Sequence, residues 1–188
     1  MSEPYLAFRD VVAGYAAPVV GPVSFEVRPG EVVALCGPNG SGKSTLLGAL
    51  TGASRVFSGR IDRRERIRVS LQRQLPARPE GIPLSGRELL HLTGADREAA
   101  PDALAPLLPL RIDRLSGGQF QFLEVWACLG SRADLVILDE PTNNMAPGTI
   151  RTVASLLASR KPERAILLIS HERGFVDDVS DRVVELAP

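Results

Sequence analysis

The hydrophobic positions fall into short runs of two kinds, and their alternation along the chain predicts a layered α/β protein. Residues 32–36 (VVALC), 135–138 (LVIL) and 165–169 (AILLI) are continuously apolar, the pattern of strands buried on both faces. Stretches 5–10 and 23–28 read as further strands, the second ending in the turn Pro29-Gly30. Apolar residues at helical spacing predict helices at 45–50, closing at Gly52, at 118–129 and at 150–160. Residues 59–71 alternate charges with Ile and Val and predict a solvent-lapped strand pair, and 181–186 predict a last short strand. Between 76 and 114 the chain is rich in Pro, Leu and Ala, with short helical stretches expected at 86–92 and 101–108. Buried strands alternating with helices imply a mostly parallel sheet covered on both faces. No linker, repeat or low-complexity tract divides the 188 residues, so one domain is expected.

Composition narrows the possible partners. Lys plus Arg and Asp plus Glu balance at 22 each, so no basic field exists to hold a phosphate backbone, and no nucleic-acid partner is expected. No apolar run approaches the roughly 18 residues of a membrane span, and the start MSEPYLAFRD lacks a signal-peptide pattern. Cys36 and Cys128 lie in apolar stretches without metal-ligand spacing and read as reduced core thiols. These features predict a cytoplasmic protein. The arginines at 60, 63, 64, 66 and 68 are interrupted by Asp62 and Glu65, which favours a solvated strand face over a binding patch. All the basic residues are Arg except Lys43 and Lys161, and Lys43 stands in a glycine-rich loop.

That loop is GPNGSGKST at 37–45, matching G-x-x-x-x-G-K-[ST]. Gly37, Gly40 and Gly42 let the backbone around Pro38, Asn39 and Ser41 turn its N–H groups toward phosphate oxygens. The helix that follows, opening near Thr45, adds its positive end. Lys43 supplies a compact charge for the β and γ phosphates, and Ser44 a hydroxyl for Mg²⁺. A glycine-rich turn can match by accident, but this one sits between a buried strand and a helix, where the mechanism needs it. A second signal is LVILDEPT at 135–142. Asp139, ending a buried strand, can hold Mg²⁺, and Glu140 can polarise a water attacking the γ phosphate. Alone, that acidic pair reads equally well as a cap on the next element. The third is LSGGQ at 115–119: Ser116 caps a helix, and Ser-Gly-Gly before a helix is also an anion cradle.

These motifs, in this order, resemble the nucleotide-binding domain of the ABC ATPase superfamily, and the likeness covers essentially the whole chain. GPNGSGKST resembles its Walker A loop, LSGGQ its signature, LVILDEPT its Walker B strand and Ser170-His171 its switch histidine. The resemblance implies a P-loop NTPase core with an N-terminal antiparallel β subdomain. It also implies a short helical subdomain, about 76–125, that carries the signature. It implies ATP and Mg²⁺ as cofactors and a second cassette, identical or not, as partner. Ser116, Gly117, Gly118 and Gln119 would close over the γ phosphate held by that partner. His171 would contact the γ phosphate, and Tyr15 would stack on adenine. Gln72 best fits the loop glutamine that senses Mg²⁺, with Gln74 as the competing register. Read from the residues alone, a lone His is more often structural and a lone Gln more often on the surface, and Tyr15 fits a core place; only the family register lifts these residues above such roles.

Two positions depart from the family pattern. Ala146 stands where an Asp usually follows the Walker B strand, and it cannot accept the hydrogen bonds by which that Asp helps couple the two sites. Phe122 stands where many members carry a basic residue, which bears on the packing of the signature helix. Neither change touches Lys43, Ser44, Asp139, Glu140 or His171, so ATPase activity is expected. The resemblance implies the motor subunit of a transporter, attached to the inner face of the membrane through separate permease subunits. IRVSLQRQ…GIPLSGRELL is similar to importers of metal ions and metal chelates. EPTNN and SHERGF are similar to the ribosome-acting ABC-F proteins, the alternative reading. Those proteins join two cassettes through a long charged linker, which is missing from this sequence.

Overall fold

The computed structural model describes residues 3–74, 82–159 and 161–187. Five parallel strands form the central sheet: β3 (Val32–Cys36), β5 (Val69–Gln72), β6 (Leu135–Asp139), β7 (Ala165–Ile169) and β8 (Arg182–Glu185). Their order is β5-β6-β7-β3-β8. The three continuously apolar runs are the three central strands, buried at every position. Side chains alternate between faces along each strand, so Val32, Ala34 and Cys36 join one core while Val33 and Leu35 join the other. Apolar residues at every position are what a doubly covered parallel sheet requires.

One face packs against helices α3 (Gly117–Leu129), α4 (Pro147–Ala158) and α5 (Arg173–Val179). The other packs against α1 (Lys43–Thr51) and an antiparallel sheet of β1 (Leu6–Gly14), β2 (Pro18–Val27) and β4 (Arg55–Arg63), ordered β2-β1-β4. Between β5 and β6 lie α2 (Gly86–Thr93), three short 3₁₀ turns and α3. Residues 76–81 of the expected helical segment lie outside the described residues.

The strand pair expected over 59–71 is divided: β4 pairs antiparallel with β1, and β5 pairs parallel with β6. The alternation belonged to two strands in different sheets. The helix expected at 101–108 shortens to a 3₁₀ turn, Asp102–Leu104, because Pro106 has no N–H to continue it. Helix α4 starts earlier than expected, with Pro147 in its first turn, a position where proline's missing N–H costs nothing. Helix α5 gave no signal in the sequence; it is seven residues long and buries Phe175, Val176 and Val179.

From Phe120 to Leu129 helix α3 is apolar nearly all round and buried except at Glu124, while its first turn is open. It carries the only tryptophan, Trp126, which packs beside Gly130 and Ala95 in the core. Phe122 fills the core too, at 2% exposure, so the departure there is absorbed as packing. The C-terminal end of α3 is held by Arg164, whose buried guanidinium donates to the carbonyls of Leu129, Ser131 and Ala133. A cation at this end also complements the helix dipole.

At the N-terminus of α4, Ala146 sits in extended cap geometry but supplies no side-chain hydrogen bond. Ala146→Asp should therefore stabilise the protein by about 1 kcal/mol, because the carboxylate can accept from the Gly148 N–H, Pro147 having none and Thr149 N–H already donating to Ala146 O. Urea unfolding measures it; an unchanged or lower midpoint would show that α4 does not need the cap.

Candidate functional site

The loop 37–42 leaves β3 and delivers the chain to α1. Gly42, at φ +93, is the N-cap of α1, and a Cβ there would lie 2.4 Å from Val20 Cβ. Only glycine meets both demands. No side chain caps α1, and no acidic residue occupies its first turn, so its initial N–H groups face outward for an anion. The Lys43 ammonium is buried and donates to the carbonyls of Gly37 (2.7 Å) and Pro38 (3.0 Å). The loop thus folds around its own cation. Asn39, Lys43, Ser44, Gln74, Asp139 and Glu140 face one cleft of about 280 Å³.

The opposite wall is built by the register of the sheet. Asp139 ends β6 opposite Ile169, and Ile169 pairs in turn with Leu35. Burial pushes the Asp139 carboxyl above its usual range. The main-chain N–H of Gln74 pulls it back, the Glu140 charge raises it and the Lys43 charge lowers it. A divalent cation would relieve the desolvation, and with the Ser44 hydroxyl in the same cleft this donor set fits Mg²⁺.

Glu140 is more constrained still. Its φ of +50 lies in the left-handed region, although Pro141 follows, and residues before proline favour extended backbone. Its N–H donates to Ile169 O (2.8 Å), and its carbonyl accepts from Gln121 Nε2 (2.7 Å). The His171 Nδ1 lies 2.8 Å from both carboxylate oxygens. With the carboxylate ionised, Nδ1–H donates, and a half-exposed imidazole covers a carboxylate that is 6% exposed. A buried carboxylate so oriented beside a phosphate-shaped loop can polarise a water.

Not every expected residue is brought here. Gln72 ends β5 with its amide buried; its Nε2 donates to Arg73 O and its Oε1 has no partner among the described residues. It does not line the cleft, whereas Gln74 does. Alternation alone would put residues 72 and 74 on one face; β5 ends at Gln72, and past that end the chain brings Gln74 to the cleft. Tyr15 occupies the β1–β2 turn and is 60% exposed, outside the cleft lining, which Val19 reaches instead.

The signature residues stand apart. Ser116 caps α3 in a reciprocal capping box with Gln119. Ser116, Gly118 and Gln119 line a different cleft, of about 360 Å³, with Asn144, Ala146 and Thr149. A Cβ on Gly118 would lie 2.1 Å from Asn144 O, while a Cβ on Gly117 would meet nothing within 4 Å. Gly117 is therefore open on its outer side, and Gly118 is required by the backbone behind it. Gln121 had no functional reading in the sequence. Its signal was a lone amide among apolar residues of an enclosed helix.

The family profile described as ABC transporter matches residues 20–143. A zinc import ATP-binding protein, ZnuC, of Paracoccus denitrificans (strain Pd 1222) is 37% identical over 183 residues, covering 93% of this chain and 72% of that protein. A protein of the same name from Roseobacter denitrificans (strain ATCC 33942 / OCh 114) is 37% identical over 180 residues, covering 90% and 69%. A solved structure of the ATP-binding subunit of an ABC transporter superposes with a TM-score of 0.81 at 25% identity, covering 97% of this chain and 85% of that one. These relatives support the transporter reading over the ribosome-acting alternative. The chain belongs to the ABC transporter family, whose ATP-binding cassettes are ATPases.

Proposed function

We propose that this chain is the motor subunit of a divalent-metal importer, with zinc as cargo. It works as one of two facing cassettes on separate permease subunits at the cytoplasmic side of a membrane. The observation that carries the motor is the Glu140 carboxylate, held under His171 beside the lysine-bearing loop. The zinc reading comes from the names of the relatives. Among the described residues no helix is long and apolar enough to cross a membrane, and no cluster of three or more His, Cys, Asp or Glu could hold a metal ion. Pore and cargo site are assigned to partner chains.

In this reading Lys43 exchanges its two loop carbonyls for the β and γ phosphates of ATP. Tyr15 offers its exposed ring to adenine. Ser44 and Asp139 would hold Mg²⁺, which when bound would neutralise triphosphate charge, with Gln74 at the same wall and Gln72 behind it. Glu140 orients the attacking water, and His171 fixes its carboxylate and lies toward the γ phosphate. Ser116, Gly117, Gly118 and Gln119 serve the nucleotide of the opposite cassette, which is why they open on another face.

Three outcomes test this. Glu140→Gln should lower kcat roughly a hundredfold or more and accumulate an ATP-bound dimer on size exclusion; parental turnover would remove Glu140 from the chemistry. Lys43→Ala should weaken ATP binding at least about tenfold by fluorescent-nucleotide titration; unchanged affinity would contradict its phosphate role. Tagged chain drawn from solubilised membranes should bring a multi-span permease, and its loss should impair growth under zinc limitation. Capture of ribosomes instead would refute the transporter reading.

A further inference from the structure

The left-handed backbone of Glu140 needs an external restraint, because neither glutamate nor a residue before proline adopts it readily. Two restraints are local to the sheet edge: the bond from its N–H to Ile169 and the imidazole of His171. The third comes from a different element. Gln121, in the middle of α3, is 3% exposed among Phe120, Phe122 and Leu123, and its amide reaches the Glu140 carbonyl at 2.7 Å. An amide buried in so apolar a helix is costly unless it is bonded, and this bond is the one it makes across to the site.

The same helix touches the same turn a second time. Gly118 lies three residues before Gln121, on the same side of α3, and backs onto the carbonyl of Asn144. Residues 140–144 are themselves tightly turned, with Asn143 N–H donating to Glu140 O and Met145 N–H to Thr142 O. One helix therefore holds this turn at both ends. Meanwhile Ala146, just beyond the turn, offers no side-chain acceptor.

We infer that Gln121 is a positioning residue for hydrolysis: its amide holds the Glu140 main chain so that the carboxylate meets His171 and faces the phosphate cleft. This rests on the reading of Glu140 as the water-polarising group. It makes α3 part of the catalytic apparatus rather than only a carrier of the signature. A shift of the helix along its axis would move Glu140 through the amide, without any contact between Gln121 and the nucleotide.

The test is the division between turnover and binding in the full chain with Mg-ATP. Gln121→Met keeps the length and fit of the side chain but removes the donor, leaving the Glu140 carbonyl to the longer bond from Asn143. It should lower kcat roughly tenfold, the effect of losing one buried hydrogen bond at the site. KM and ADP affinity should stay within about twofold, because the loop and Lys43 are untouched. Gln121→Asn keeps an amide that stops one methylene short, and it should divide the two parameters in the same way. Parental kcat in a cooperatively melting variant overturns the proposal. So does a joint fall of kcat and affinity, or loss of cooperative folding in both variants. Glu140→Gln, assayed alongside, separates the two ideas. Parental turnover in that variant would defeat the role of Glu140 itself, whatever the Gln121 variants do.

Discussion

The parallel pairing of three buried strands aligns Leu35, Ile169 and Asp139 in one row at the carboxyl edge of the sheet. From that row the chain turns into the phosphate loop on one side and into Glu140 on the other, while Ser170-His171 follows between them. Side chains alternate with a period of two, so a one-residue slip of β6 against β7 would point Asp139 into the opposite layer. Continuous burial of all three strands makes such a slip costly. The chemistry of the cleft is therefore an outcome of packing: the core fixes the register, and the register fixes the carboxylates.

How much of this was legible in the sequence follows from the same physics. The three apolar runs could be read because both faces are buried and every position is constrained. The loop was legible because backbone that must approach phosphate closely leaves glycines at fixed places. Helix α5 and the division of 59–71 were not legible. Short elements carry too few residues to show a period, and alternation in one strand does not name its neighbour. Gln72 and Gln74 illustrate the limit at the site: both sit in similar surroundings in the sequence, and only the point where β5 ends decides which faces the cleft. Gln121 illustrates another, because a buried amide's partner lies far along the chain.

Strain and restraint are matched around Glu140. A left-handed glutamate before proline is unfavourable by itself, of order 1–3 kcal/mol, and it survives because the sheet, α3 and the His171 imidazole all hold it. Those holds come from separate elements. The orientation of one carboxylate thus depends on the assembly of most of the domain, and packing changes well away from the cleft would reach it. The Ala146 and Phe122 departures divide along this line. Phe122 is taken into the core, whereas Ala146 leaves a helix start without a cap.

The single tryptophan gives α3 an optical signature of its own. The indole of Trp126 is enclosed, and its Nε1–H has no hydrogen-bond partner among the described residues. Its emission should therefore report the apolar core around it, and no other indole in the chain overlaps it. Small rotations or water entry along this helix would change colour and lifetime directly. The protein carries, without any label, a fluorophore on the helix that bears both the signature turn and the amide behind Glu140.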